Sequence, residues 1–300
     1  MSTSHGISRP RSIEAVTTLA EVRHGPGFRS FGLRGIPGSS MDPFLNLDDF
    51  HMSQPTFPPH PHAGFSAVTY MFEGSAGGFV NRDSLGDRSH IGPGALHWTQ
   101  AGRGMLHEEI PEQPGVDCHG LQMFVKLRAA HEHADPRAFH LDADRIPVVT
   151  TPEGARVRVV CGSLGDTSSP LRELLTPIVM LDVQLPAGAH VELPVEREHT
   201  CFLLVIDGSG EVVGPAGEGR PIAAHMGVGL SRDGDGVSLR ATNERFRVGE
   251  ITRTDVAHLL RRLRRLCGSL CWTVGQSFDP RLHHPPVRVG DRGGDRGHLP

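Results

Sequence analysis

The chain has 300 residues, enough for two average domains, and its 37% hydrophobic content with 37 Gly and 24 Pro favours turns and short strands over long helices. A formal charge of -4 leaves no overall cationic footprint for nucleic acid, and no apolar run is long enough to span a membrane. Residues 1–22 carry Arg9 and Arg11 but neither an apolar central stretch nor a small-residue cleavage site, so no secretory signal is read there and a cytoplasmic location is expected.

From residue 28 to about residue 127, the runs "FLNLDDF", "SAVTYMF", "GALHWTQ" and "LQMFVKL" are separated by Gly and Pro clusters such as "EGSAGG" and "HIGPG". That rhythm predicts an all-β sandwich or barrel. Residues 128–146 are polar and compatible with helix, and read as a connector. A second β series begins at "RVRVVCG", crosses the loop "SLGDTSSP" and continues through "TPIVMLDVQLPAGAHVELPV", "TCFLLVIDGSGEVVG" and "GVSLRA". The predicted organisation is a first β domain with its connector over 1–150, a second over 151–254, and a distinct segment over 255–300.

In that last segment Val256, Leu259, Leu260, Leu263 and Leu266 recur at helical spacing with Arg261, Arg262, Arg264 and Arg265 on the other faces, which predicts a short basic helix. The Gly-, Pro- and Arg-rich end is expected to lack fixed structure, and the basic segment reads as a solvated extension rather than a nucleic-acid site. Cys118, Cys161, Cys201, Cys267 and Cys271 are odd in number and show no paired spacing, as suits a reducing compartment. Cys161 and Cys201 lie in apolar runs and read as small core residues.

The histidines carry the chemistry. With 19 His in the chain, one His-x-His is expected by chance, so the pattern alone is weak. His131 and His133 in "AAHEHAD" sit in the polar connector, where a spacing of two on a helix separates the faces, and they read as solvated surface. His60 and His62 in "FPPHPHAGFSAVTYMFEG" differ because a strand follows. On extended chain the two imidazoles share one face roughly 6 to 7 Å apart, close enough to converge on one ion, and Pro61 keeps the backbone extended. In "AGRGMLHEEIP", Gly102 and Gly104 make a tight turn, and His107 and Glu109 again lie two apart on a following strand. Two such pairs on neighbouring strands form a three-histidine, one-glutamate set pointing into one barrel. Glu108 points the other way, and Glu73 lies too far along its strand.

With these segments in view, the sequence resembles the pirin family of the cupin superfamily, and in particular its bacterial quercetinase-like members. The matching text is "MDPFLNLDDF", "FPPHPHAGFSAVTYMFEG", "RDSLGDRSHIGPGALHWTQAGRGMLHEEIP" and "HGLQMFVKL", with a weaker match over residues 176–246. The resemblance implies an all-β bicupin of two β-barrel (jelly-roll) domains, with one iron in the first barrel. The family's four ligand positions fall on His60, His62, His107 and Glu109. Cupins carry two His and a Glu in a first motif and Pro-x-Gly-x-x-His in a second. Here the second motif stands as Gly102-x-Gly104-x-x-His107, and the Glu position of the first falls on Ser66, expected on the same face as His62, so that Glu109 supplies the carboxylate. The second barrel places Pro194, Glu196, Cys201 and Leu239 at the corresponding positions and is expected to hold no metal. His199 then reads as a strand-end or interface residue rather than a ligand.

An imidazole and carboxylate set suits any of several divalent first-row ions, and iron(II) is expected from the resemblance. Four protein ligands leave two open positions, enough for a bidentate substrate or for substrate and O2. Some pirin-like proteins open flavonols such as quercetin with O2, which implies a small aromatic substrate; Glu109 is expected as the base for its hydroxyl proton if it releases the metal transiently, and as a ligand throughout if it does not. Others act as redox-responsive regulators through protein partners without turnover. Phe65, Met71, Trp98 and Phe124 are candidates for an apolar cleft. Ala63 stands where the family usually has Arg, and the family's aromatic and Asn-rich ending is not found after Arg247. The chain is expected to act as a monomer.

Overall fold

Strands buried on both faces need apolar residues at nearly every position, and this explains the continuous apolar runs. The structure, a computed structural model, describes residues 7–197 and 199–253. The basic helix and tail expected over 255–300, with Cys267 and Cys271, lie outside the described residues. In chain order the strands are β1 (Ile13–Thr18), β2 (Ala20–Arg23), β3 (Phe28–Leu33), β4 (Phe44–Met52), β5 (His60–His62), β6 (Phe65–Met71), β7 (Phe79–Asp83), β8 (His90–Ile91), β9 (Leu96–Gln100), β10 (Met105–Pro111), β11 (Cys118–Lys126) and β12 (Arg137–Leu141). They continue as β13 (Val148–Thr150), β14 (Arg156–Cys161), β15 (Ser163–Leu164), β16 (Thr167–Ser168), β17 (Val179–Leu185), β18 (His190–Pro194), β19 (Thr200–Asp207), β20 (Ser209–Val213), β21 (Gly219–Ala223), β22 (Met226–Leu230), β23 (Gly236–Ala241) and β24 (Phe246–Arg253). Among the described residues, no helix is long and apolar enough to cross a membrane.

The two halves repeat one architecture. The first pairs a seven-stranded sheet, β12-β9-β6-β11-β4-β3-β2, with a four-stranded sheet, β5-β10-β7-β8. The second pairs β1-β22-β19-β24-β17-β14-β13 with β18-β23-β20-β21. The N-terminal segment crosses between the halves: β1 runs antiparallel to β22 of the second large sheet, and β2 adds to the edge of the first. Strand pairing thus cuts across a division by sequence order.

The connector read over 128–146 is not helical. It makes 3-10 turns at Ala129–His131 and Ala143–Arg145, and between them β12 pairs with β9, so the segment supplies an edge strand. Its polar composition suits helix and edge strand equally, and the pairing decides. The loop "SLGDTSSP" closes as the β15–β16 hairpin.

The two large sheets pack face to face through one apolar layer, to which β6 gives Val68 and Tyr70, β9 gives Leu96 and Trp98, and β19 gives Phe202, Leu204 and Ile206. The other face of β19, with Cys201, Leu203 and Val205, joins Val191, Leu193, Leu239 and Val248 to fill the second barrel. Within the layer, Tyr70 Oη donates to Asp182 Oδ2 at 2.7 Å, Arg247 grips the same carboxylate with two nitrogens, and its guanidinium lies 4.1 Å from the centre of the Phe72 ring. Each charge in this buried group has a partner, which avoids the cost of an uncompensated charge. The first barrel is filled only at one end, by Phe50, Met52, Met71, Phe79, Ile91, Ala95 and Cys118. Its other end is open.

Candidate metal centre

That open end is where the histidines gather. β5 and β10 are antiparallel neighbours, with His60 opposite His107 and His62 opposite Met105. Residues opposite one another share a face, and positions two apart share it too, so His60, His62, His107 and Glu109 all project inward. The turn before β10 depends on Gly102: its φ is +52°, and a Cβ there would stand 2.1 Å from the Ala134 carbonyl oxygen. Only glycine tolerates both constraints.

The three imidazoles form a near-equilateral cluster, with ring centres 4.7 Å apart for His60–His62, 4.9 Å for His60–His107 and 4.7 Å for His62–His107. One ligand nitrogen from each lies within 4.8 Å of the others. His60 Nδ1 donates to the Pro58 carbonyl at 2.9 Å, which fixes its tautomer and turns a basic Nε2 toward the other two rings. His62 Nε2 and His107 Nε2 stand 2.9 Å apart. Two nitrogens bound at right angles to an ion at about 2.1 Å would be about 3.0 Å apart, so this spacing fits a shared metal. Burial pushes His62 down to about 4 and His107 down to about 3, with the neighbouring imidazoles adding to the shift. Both are therefore neutral at pH 7, the form that ligates.

Glu109 lines the same cavity but is not drawn into the three-histidine cluster. Its Oε2 accepts from the Thr69 hydroxyl at 2.6 Å, and Thr69 Oγ1 lies 2.7 Å from the side-chain amide of Gln122. The Gln122 atom at that distance is Oε1, an acceptor, so the single Thr69 proton faces two acceptors, Glu109 Oε2 and Gln122 Oε1. Burial raises the Glu109 carboxyl to about 7, against the opposing pull of the Thr69 hydrogen bond. Thr69 and Gln122 were not read as site residues from the sequence.

Ser66 does not share a face with His62. It pairs with Val125 and Gln100 on the side of Val68 and Tyr70, while Thr69 is on the opposite face, where it meets Glu109. The cause is the turn at Ala63 and Gly64, where Gly64 has φ +77° and resets the alternation between β5 and β6. Of the four apolar residues expected at the cleft, Phe124 lines it; Phe65 packs against both His62 and Phe124; Met71 and Trp98 are fully buried in core. His131 ends a 3-10 turn, and His133 is exposed.

The cavity holds about 430 Å³ beside His60, His62 and His107. Phe28, Phe50, Met52, Phe57, Phe79 and Phe124 make its apolar walls, with Ser30, Arg34, Asn46, Asp48 and Gln122 as polar groups. Asp48 gathers three of these, accepting from Arg34 at 2.6 Å, Asn46 at 2.7 Å and Ser30 at 3.3 Å. Asn46 and Asp48, two apart on β4, place their side chains on the strand face that lines the cavity. In the second barrel the equivalent space is filled, and Leu239 occupies the position of the third histidine with none of its surface exposed.

Two barrels of one architecture, one packed solid and one open around three converging imidazoles, define a bicupin with a possible metal site in its first barrel. The pirin family profile matches residues 31–125. A pirin-like protein of Caulobacter vibrioides is 35% identical over 227 residues, covering 73% of this chain and 79% of the relative. A Pseudomonas aeruginosa protein provisionally named quercetin 2,3-dioxygenase is 32% identical over 247 residues, covering 78% of this chain and 84% of its own. The chain belongs to the pirin family. Among solved structures, GK1651 of Geobacillus kaustophilus superposes with a TM-score of 0.72 at 30% identity, covering 82% of this chain and 97% of its own. A quercetin 2,3-dioxygenase of Acinetobacter baumannii shares the fold, with a TM-score of 0.70 at 22% identity, covering 86% of this chain and 96% of its own.

Proposed function

We propose that this pirin is a metal-dependent dioxygenase of the quercetin 2,3-dioxygenase type, which opens a flavonol-like substrate with O2. The observation that carries the reading is the juxtaposition of three converging imidazoles with an apolar cavity of about 430 Å³ that has a polar group in its wall. That combination suits a planar aromatic polyol. His60, His62 and His107, with Glu109 as fourth ligand, would hold one divalent first-row ion, iron(II) in this reading. Bound there, such an ion acidifies a chelating hydroxyl and supplies the redox chemistry that O2 needs.

The chain's own residues do the rest. Phe28, Phe50, Phe57 and Phe124 hold the rings flat and exclude water. Asp48, with the Arg34, Asn46 and Ser30 groups it gathers, recognises ring hydroxyls at a distance from the imidazoles. Glu109 receives the substrate's hydroxyl proton on a carboxylate oxygen, and Thr69 orients that carboxylate. A cytoplasmic setting is supported by Cys118, Cys161 and Cys201, all buried and unpaired.

Oxygen uptake with quercetin, measured on iron-loaded wild type and His62→Ala, tests the proposal. Uptake that requires His62 supports it. No uptake with any of several flavonols would overturn it in favour of a protein that acts through a protein partner without turnover.

A further inference from the structure

Asp83 ends β7 and Asp87 closes the hairpin after it, while His97 comes from β9 of the opposing sheet. One ligand atom from each lies within 4.8 Å of the other two. His97 is only 1% exposed, yet neither of its ring nitrogens has a partner. Such a group forfeits its hydration with nothing in return unless something else fills the space. The two carboxylates are held in place by other contacts. Asp83 Oδ1 accepts the backbone N–H of Leu85 at 2.8 Å and of Asp87 at 3.0 Å, which leaves Asp83 Oδ2 buried without a partner. Asp87 accepts from Asn81 Nδ2 at 2.9 Å and from the Ser89 hydroxyl at 2.9 Å. Asn81, fully buried, has its Oδ1 unpartnered as well. Among the described residues, the contacts of the two carboxylates are with backbone N–H groups, Asn81 and Ser89, and none is an ion pair with Lys or Arg. Among the described residues, the cluster therefore combines two oriented carboxylates with a buried imidazole whose ring nitrogens lack partners, and no Lys or Arg pairs with it.

We propose that Asp83, Asp87 and His97 form a second divalent-cation site in the first barrel, separate from the three-histidine cluster. Two carboxylates with one imidazole suit Mn(II), Fe(II) or Zn(II), and the Asn81 side-chain oxygen is a candidate fourth ligand. The two sites share β7 and β10 as neighbours: Asp83 lies opposite His107, and Asn81 lies opposite Glu109. A cation at the second site would therefore brace the strand that carries the first. The proposal does not rest on the dioxygenase reading, because a chain without turnover would bind the ion equally.

The test is the Mn(II) stoichiometry of the chelator-treated full chain, read from loss of the free-ion paramagnetic resonance signal. Wild type should bind two equivalents, His107→Ala one, His97→Gln one, and the double variant none. Asp87→Asn, nearly isosteric, should keep the fold and weaken the second equivalent at least 10-fold, which covers the event that His97→Gln fails to fold. A single wild-type equivalent that His107→Ala removes, or a second equivalent that survives in both His97→Gln and Asp87→Asn, would overturn the proposal.

Discussion

The Thr69 hydroxyl lies 2.6 Å from Glu109 Oε2 and ties the carboxylate of β10 to the opposing sheet. Removing that hydroxyl while keeping its shape leaves the carboxylate free to turn. In Thr69→Val, metal content should stay near that of wild type, and under the proposed function kcat on a flavonol should fall about 10-fold, the effect of losing a group that orients a residue beside a metal. Thr69→Ser should restore it. Steady-state kinetics with metal analysis on the three proteins checks this.

The cavity wall and the inter-barrel core should respond differently to truncation. Trp98, 1% exposed in the layer between the large sheets, should cost about 3–5 kcal/mol of stability on change to Ala. Phe28→Ala, in the cavity wall, should mainly raise KM with a smaller loss of stability, because its ring is only partly buried. Urea unfolding of both variants, beside kinetics of Phe28→Ala, separates the roles.

Gly102→Ala should destabilise by about 2–4 kcal/mol, since an L-residue at φ +52° is strained and its Cβ would strike the Ala134 carbonyl. The strain falls on the turn that launches β10, so metal affinity should fall together with the melting temperature. A variant with wild-type melting would contradict the packing of the 129–136 segment against this turn.

Glu250 gives the fold a pH dependence. It faces the second barrel's interior opposite Leu181 and Leu203, one carboxylate oxygen lacks a partner, and burial raises it to about 8, with Arg11 pulling the other way. A carboxyl whose folded pKa is raised favours folding when protonated. Its contribution is complete below its unfolded value near 4.5 and is lost as pH rises through about 8. At about 1.4 kcal/mol per pKa unit, the loss amounts to a few kcal/mol. Glu250→Gln should therefore flatten the stability profile between these limits and be more stable than wild type at pH 8, as read by denaturant unfolding across pH.

The strands were legible where burial on one or both faces imposes period two, as in β4, β6 and β19, and the imidazoles were legible because spacing of two on adjacent strands is itself a geometry. Phase across a turn was not. Ser66 fell on the wrong face because Gly64, in the left-handed region, reset the alternation. The pairing of β1 with β22 joins residues about 200 apart in sequence, and no local pattern encodes such a partner. Asn46, Asp48 and Gln122 are only some of the polar residues on β4 and β11, and which of them line the cavity is decided by packing. Asp83, Asp87 and His97 come together only when the two sheets of the first barrel face each other.

The most direct test of the metal centre is anomalous diffraction from crystals of protein grown without chelator, with data collected on either side of the metal absorption edge. A peak about 2.0–2.2 Å from Nε2 of His60, His62 and His107 is the predicted result. A map with no peak among those three nitrogens, from protein shown to contain metal, would contradict the assignment of the centre to the first barrel.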